Sequence, residues 1–286
     1  MSGMSPEDER AVKNAIFAAR QAAEGAAKSG PVPMQEIQIP SAQVPLPSRG
    51  VVYPPESPLH GQEFVDIKAM TTQEEDILMS RALIKKGTVI NELIRACLLT
   101  PGVTVNDLLA GDRNALMVAI RITGYGPEYV PIVQCPSCEQ KSEYPINLSD
   151  LEIKSLDIEP VAPGVNRFAF KLPVSQKVVH FRFLTGKEEE EIAAQVEAKK
   201  KKGIAVDNVV STRLLFSVLS VDGNEDRSHI AKTITYLPAR DSLALRRYME
   251  THEPGIDMHC SFECPNCGHT EVVAVPMGAS FFWPSS

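Results

Sequence analysis

The sequence predicts an α+β chain in which a helical module and an inserted α+β domain are joined by a split four-cysteine zinc ribbon, behind an extended N-terminal arm. Three observations carry this. Cys135-Pro136-Ser137-Cys138 and Cys264-Pro265-Asn266-Cys267 repeat one Cys-Pro-x-Cys pattern with 125 residues between them. Each copy stands between short apolar stretches, Val130 to Val133 and Tyr144 to Ile146 around the first, and Met258, Cys260, Phe262 and Val272 to Val275 around the second, so each reads as a β-hairpin. Helical periodicity dominates residues 63–128, whereas strand alternation and helical stretches mix between the two pairs.

At the N-terminus (1–30), Ser5 suits a helix cap, Pro6 fits the first turn, and Glu7 and Asp8 meet the positive end of the dipole, which predicts a helix to about Lys28. Val12, Ala15, Ile16 and Ala19 form its apolar stripe, but Gly25 and the many alanines make it weakly self-sufficient. It reads as a docking helix with Val12 and Ile16 as partner-binding residues, against a frayed tail. Residues 31–62 hold eight prolines from Pro31 to Pro58, which excludes a helix and disfavours an inner strand. This arm is either a linker or a strap over a neighbouring subunit, where stiff backbone loses little entropy on binding.

In the helical module (63–128), Val65 to Ile67 reads as a short strand, and Thr71 or Thr72, with Glu74 or Glu75 three residues on, opens a helix that runs through Ile84 to Gly87. Val89 to Leu99 is a second helix that holds Cys97 as a small buried hydrophobe. After short turns at Thr104, Asn106 or Asp107, a third helix spans Asn114 to Thr123 and breaks at Gly124-Tyr125-Gly126. Asp112 and Arg113 lack a nearby nucleophile, histidine or second carboxylate in sequence, and read as a helix cap and a salt bridge.

The ribbon (129–147 and 258–278) rests on ligand chemistry. Two residues between cysteines let a knuckle aim both sulfurs at one centre, and two knuckles close a tetrahedral shell with no open position for catalysis. Gly268 suits the left-handed turn that ends a knuckle, and Pro136 and Pro265 stiffen equivalent positions. A redox dithiol would need one pair opening a helix in a parallel-sheet unit. Disulfides fit secreted chains, and neither a secretory signal nor a stapled domain's cysteine density is expected from six cysteines in 286 residues. The expected cofactor is therefore one structural zinc held by Cys135, Cys138, Cys264 and Cys267. Cys260, in register with Met258 and Phe262, reads as core, and His259 and His269 as surface residues or supports of the ligands. Such a site contributes about 10–16 kcal/mol in small peptides, and loop-closure entropy grows only logarithmically, so the ribbon is expected to be the clasp that brings the two excursions together.

In the inserted domain (148–257), Phe168 to Leu172 and Val178 to Leu184 alternate as a hairpin, with His180 out of phase and facing solvent. Thr185 or Gly186 starts a charged helix from Glu188 to Lys202 whose acidic start and basic end match its dipole. Gly186-Lys187 lacks the glycine and hydroxyl residues of a phosphate loop. Further helices span Val209 to Leu219 and Ala239 to Thr251, the latter presenting Leu243, Leu245, Tyr248 and Met249. The tail (279–286) places Phe281, Phe282 and Trp283 beside Pro284 as a partner-binding hot spot, against folding back onto the ribbon.

Composition limits the function classes. At 31.3 kDa and net charge −7 the chain is globular and acidic, and no run approaches a membrane span. Met258 to Ser286 has no Lys or Arg, and residues 139–257 carry 17 basic against 19 acidic residues, so nucleic acid is disfavoured as a partner.

A helical module ending in Gly111 to Leu116 and Gly124 to Gly126, then the first Cys-Pro-x-Cys, an insertion, the second Cys-Pro-x-Cys and Phe281 to Pro284 resembles the baseplate proteins of T-even-like contractile-tailed bacteriophages, the hub assembly family. The likeness covers residues 46–286. It implies a non-enzymatic structural or assembly protein of the virion tail baseplate, assembled in the host cytoplasm, whose partners are other tail proteins, with no small-molecule substrate. The alternatives are a zinc-ribbon adaptor of cellular transcription or translation machinery and, more weakly, a metal-dependent hydrolase, which the scattered histidines do not favour.

Overall fold

A computed structural model describes residues 39–201, 209–275 and 279–282 of the chain. Strand β1 (Ser41–Pro45) pairs antiparallel with β2 (Phe64–Lys68), Val44 opposite Val65. Val44, Leu46, Val52, Tyr53 and Leu59 are buried, which corrects the expectation of an extended arm over 31–62 for its described part. The prolines there end an edge strand at Pro45 and shape successive turns at Pro47, Pro55 and Pro58. They bend the segment back onto its own chain. The expected N-terminal helix with Val12 and Ile16, and Trp283 in the tail, lie outside the described residues.

Helix α1 (Thr72–Met79) begins with the expected capping box: the Thr71 N–H donates to Glu74 at 2.9 Å, and the Thr71 hydroxyl accepts from Gln73 N. Lys68 Nζ, 2.8 Å away, completes the solvation of the buried Glu74 carboxylate. Ser80 takes extended backbone, so the single helix expected here is two, α1 and α2 (Arg81–Lys86), the second closed by Gly87 at φ 73. Helix α3 (Val89–Cys97) buries Cys97, and burial pushes its thiol up to about 12.

Helix α4 (Ala110–Tyr125) starts earlier than expected, because Gly111 and Asp112 belong to its first turn. Asp112 is neither a cap nor a partner of Arg113. It is buried and accepts hydrogen bonds from Ser48 N (2.9 Å), Ser48 Oγ (2.6 Å) and Tyr53 OH (2.5 Å). Tyr53 OH accepts in turn from Leu109 N. Arg113 instead pairs with Glu190 at 2.6 Å and donates to Asn91.

Burial pushes the Asp112 carboxyl up, against the lowering effect of its Ser48 and Tyr53 donors. Asp112→Ala strands these buried donors and is expected to cost about 3 kcal/mol or more. Asp112→Asn keeps an acceptor for Ser48 N but turns its amide donor toward the two hydroxyls, whose protons then lack that acceptor, so it should cost less than Ala by about one retained hydrogen bond, roughly 1 kcal/mol. A carboxyl raised in the fold contributes most below its unfolded value, about pH 4, and loses that contribution as pH rises through its folded value. The gap between wild type and Asp112→Asn should therefore shrink with rising pH. Urea unfolding at several pH values measures both, and equal costs for Ala and Asn would contradict the network.

Strand β3 (Glu128–Tyr129), β4 (Ile132–Gln134), β5 (Lys141–Glu143), β6 (Ile146–Asn147) and β7 (Ile153–Lys154) follow in order. β3 pairs with β6, and β4 with β5. Next, β8 (Phe168–Lys171) and β9 (Val178–Phe181) pair with Phe168 opposite Phe181, and Phe168, Phe181 and Phe183 pack together. Thr185 and Glu188 cap α5 (Gly186–Lys201) reciprocally. Helix α6 (Val209–Ser217) gives way at Val218, and the residues expected to continue it form β10 (Val218–Val221) on the free edge of β9. That brings Ser220 Oγ to 2.9 Å from His180 Nδ1, so His180 is half-buried rather than solvent-facing, and burial lowers its pKa.

After α7 (Arg227–Thr235), α8 (Ala239–His252) lays Tyr248 on Phe170. Its buried Asp241 accepts from Val174 N (2.7 Å) and Ser175 N (2.9 Å) in the β8–β9 turn. Of the apolar residues on this helix, Leu245 is buried and Leu243 is exposed. Then β11 (Gly255–Ile256) pairs back with β7, and β12 (His259–Glu263) pairs with β13 (Thr270–Ala274).

One buried cluster runs from Val44 to Phe282 and draws alike on residues 63–128 and 148–257. Phe281 and Phe282 are 0% exposed in a short 3-10 turn (Ala279–Phe282), with Phe281 against Tyr129 at 5.1 Å. This corrects their expected role as exposed docking residues: their rings complete the chain's own core. Arg121, buried in α4, donates to the carbonyls of Phe281 (3.0 Å), Gly126 (2.9 Å) and Glu128 (3.0 Å). Three carbonyl acceptors give this buried guanidinium the hydrogen bonds its burial demands.

Candidate metal centre

Each Cys-Pro-x-Cys pair sits in the turn of its hairpin, between β4 and β5 and between β12 and β13. The two turns are built alike. Cys135 N donates to Gln140 O and Glu139 N to Cys135 O, both at 2.9 Å; Cys264 N donates to His269 O and Gly268 N to Cys264 O, also both at 2.9 Å. The residue after the second cysteine is left-handed in both, Glu139 at φ 58 and Gly268 at φ 69. Glycine takes that conformation freely, whereas a side chain there costs about 1–2 kcal/mol, so the first knuckle holds a strained residue and the second does not.

The four Sγ atoms of Cys135, Cys138, Cys264 and Cys267 lie within 4.8 Å of one another. The pairs across the hairpins are Cys135 to Cys267 at 3.8 Å and Cys138 to Cys264 at 3.7 Å. A tetrahedron with metal–sulfur bonds of about 2.3 Å has sulfur–sulfur edges of about 3.8 Å, whereas a disulfide would bring a pair to about 2.05 Å. The donor set therefore fits a four-coordinate ion held by thiolates, and soft thiolates in this geometry suit zinc or iron.

A small core of its own supports the site. Val133, Cys135, Phe262 and Cys264 form a separate buried cluster. Tyr144 packs edge-on against Phe262 at 5.2 Å, and its hydroxyl donates to Ser261 O across the hairpins at 2.6 Å. Cys135 and Cys264 are buried, Cys138 is half-buried and Cys267 is exposed.

Before any ion binds, the sulfurs differ. The N–H of Gln140 and the Asn266 amide, which lies 3.7 Å from the Cys138 sulfur, pull that thiol down to about 6. Cys267 is pushed up to about 12, because the His269 N–H that favours its thiolate is outweighed by desolvation and the neighbouring sulfurs.

Among the described residues, these four cysteines are the one group of His, Cys, Asp and Glu side chains close enough together to hold an ion. Cys260 stays outside it, packed against the main core with its thiol raised by burial. His259 bonds Asp257 at 2.7 Å and is exposed, and His269 faces Glu271 at 3.5 Å and is half-buried. Sequence reasoning missed Asn266 and Arg121. Nothing marks Asn266 beyond its place inside the knuckle, but Arg121 does leave a signal, as the one charge within the apolar run from Leu116 to Ile122.

A family model described as T4 bacteriophage base plate protein matches residues 56–283. The chain matches no curated protein and no solved structure.

Proposed function

Because this chain belongs to the family of T4 bacteriophage base plate proteins, we propose that it is a structural or assembly component of a contractile tail baseplate whose ribbon is organised by one zinc ion. The observation that carries the metal half is the four-sulfur cluster with cross-hairpin spacings of 3.7 and 3.8 Å. Cys135, Cys138, Cys264 and Cys267 would hold the ion in a closed shell, and its chemistry there is structural: it fixes the two hairpins without offering a position to substrate. The protein would act through contacts with other tail proteins, assembling in the host cytoplasm, with Val12, Ile16 and Trp283 as docking residues. Phe281 and Phe282 are not among them. An adaptor of cellular transcription or translation machinery has no support from the family.

Elemental analysis of purified protein should find one zinc per chain, reduced at least tenfold by Cys135→Ser, and a cobalt-substituted sample should show thiolate-to-metal charge-transfer absorption. Absence of stoichiometric metal from wild type would remove the zinc reading. Separately, a phage lacking this gene should yield tailless or baseplate-defective particles that the full chain restores; intact tails without it would remove the baseplate role.

A further inference from the structure

Helix α8 presents an outward face that the core does not use. Asp241, Leu245, Tyr248 and His252 turn inward. The opposite side carries Arg240, Leu243, Arg246 and Arg247, all exposed, and Tyr236, just before the helix, is the most exposed large apolar side chain described, at 76%.

The three arginines differ from those in the middle of the chain. Every arginine from Arg95 to Arg227 spends its guanidinium on a carboxylate or carbonyl of the chain. Arg240, Arg246 and Arg247 form no hydrogen bond or ion pair with any described residue. Local acids answer them weakly: Arg240 acts on the Asp241 carboxylate only through space, the carboxylate's hydrogen bonds being committed to Val174 N and Ser175 N, and Glu250, one turn on, makes no ion pair with Arg246 or Arg247. In a chain of net charge −7 this is a local excess of positive charge.

We propose that this α8 face is a docking surface for an acidic, apolar-bearing face of another tail protein. The inference rests on the baseplate reading above and names a contact within it. Guanidinium forks bind carboxylates bidentately, and Arg and Tyr are the side chains enriched where interfaces draw most of their energy. Leu243 and Tyr236 supply apolar surface that a protein partner buries. A phosphate backbone would leave both unburied, and three arginines on an acidic chain fall short of a nucleic-acid footprint. Charge complementarity therefore selects a protein partner.

The test uses the full chain to complement a phage that lacks the gene. The triple Arg→Glu variant at 240, 246 and 247 should keep wild-type zinc content and stay folded, because these side chains are exposed and make no hydrogen bond or ion pair among the described residues, yet lower the yield of infectious particles at least tenfold. The triple Arg→Lys variant should recover most of it. Suppressors of the reversal should appear as acid-to-base changes in another tail protein. Normal yield from the reversal overturns the proposal, as do suppressors confined to this chain. Binding of a 20-base-pair DNA duplex by wild type that the reversal abolishes also overturns it, by assigning the face to nucleic acid. If wild type itself fails to restore tails, the baseplate reading fails; if wild type and the reversal both restore them, only the docking face does.

Discussion

Gly111→Ala is expected to destabilise the protein by more than about 4 kcal/mol, or to prevent soluble expression, in the class of the largest single-substitution effects. A methyl group at this position would lie 1.8 Å from Pro254 O, 2.7 Å from its carbonyl carbon and 2.8 Å from Gly255 Cα. All three are backbone atoms, so no rotamer change relieves the clash. The first turn of α4 would have to lift away from β11, and Asp112, the next residue, would be drawn from Ser48 and Tyr53. β11 cannot yield easily either, because Gly255 and Ile256 are paired with Lys154 and Ile153.

Gly255→Ala is the informative control: its methyl would meet only Gly111 Cα at 3.3 Å, a contact that a few tenths of an ångström relieve. Urea unfolding should rank Gly111→Ala far below Gly255→Ala. A Gly111→Ala protein within about 1 kcal/mol of wild type would mean that helix and strand do not meet backbone to backbone.

What was legible in the sequence is what short-range chemistry dictates. Thr71 and Glu74 announce their capping box, Gly87 its helix end, and Cys135, Cys138, Cys264 and Cys267 their convergence, because the sulfurs of two identical knuckles have one economical arrangement. The misreadings share a cause. Proline content dominates the local pattern of residues 39–62, yet the apolar side chains between those prolines, Val44, Leu46, Val52, Tyr53 and Leu59, bury themselves only because β2 and α4 arrive to cover them. Phe281 and Phe282 look like an exposed tail until Arg121, 160 residues earlier, reaches the Phe281 carbonyl. Asp112 reads as a cap until Ser48, 64 residues away, supplies its hydrogen bonds. In each case the deciding partner is distant in sequence, and local pattern, even where it marks a residue such as Arg121, cannot reveal which segment that residue meets.

Removing the metal is expected to melt the tip of the ribbon and leave the rest of the fold standing, which revises the expectation that the ion clasps the whole chain. The residues around the sulfurs form a small cluster separate from the main core. Below it the base is closed without metal: β7 pairs with β11 and β3 with β6, and Arg121 ties Gly126 O and Glu128 O, just before the first hairpin, to Phe281 O after the second. Cys138 and Cys264 are 126 positions apart, but the Lys154–Gly255 pairing already closes most of that loop, so the metal removes little further loop entropy. Hydrogen exchange on chelator-treated protein, or on Cys135→Ser, should show protection lost by at least tenfold across 132–143 and 259–274 and retained in α4 and β8 to β10. Acidification should act in the same direction. Metal binding needs four thiolates; amide donors lower the Cys138 thiol, while burial and the neighbouring sulfurs raise Cys267, so the cluster must surrender protons to the incoming ion. Protons therefore compete with the metal, and the ribbon's amides should open as pH falls from about 7 toward 5 while the core stays protected. Loss of protection throughout the chain together with the metal would show that the ion holds the whole molecule after all.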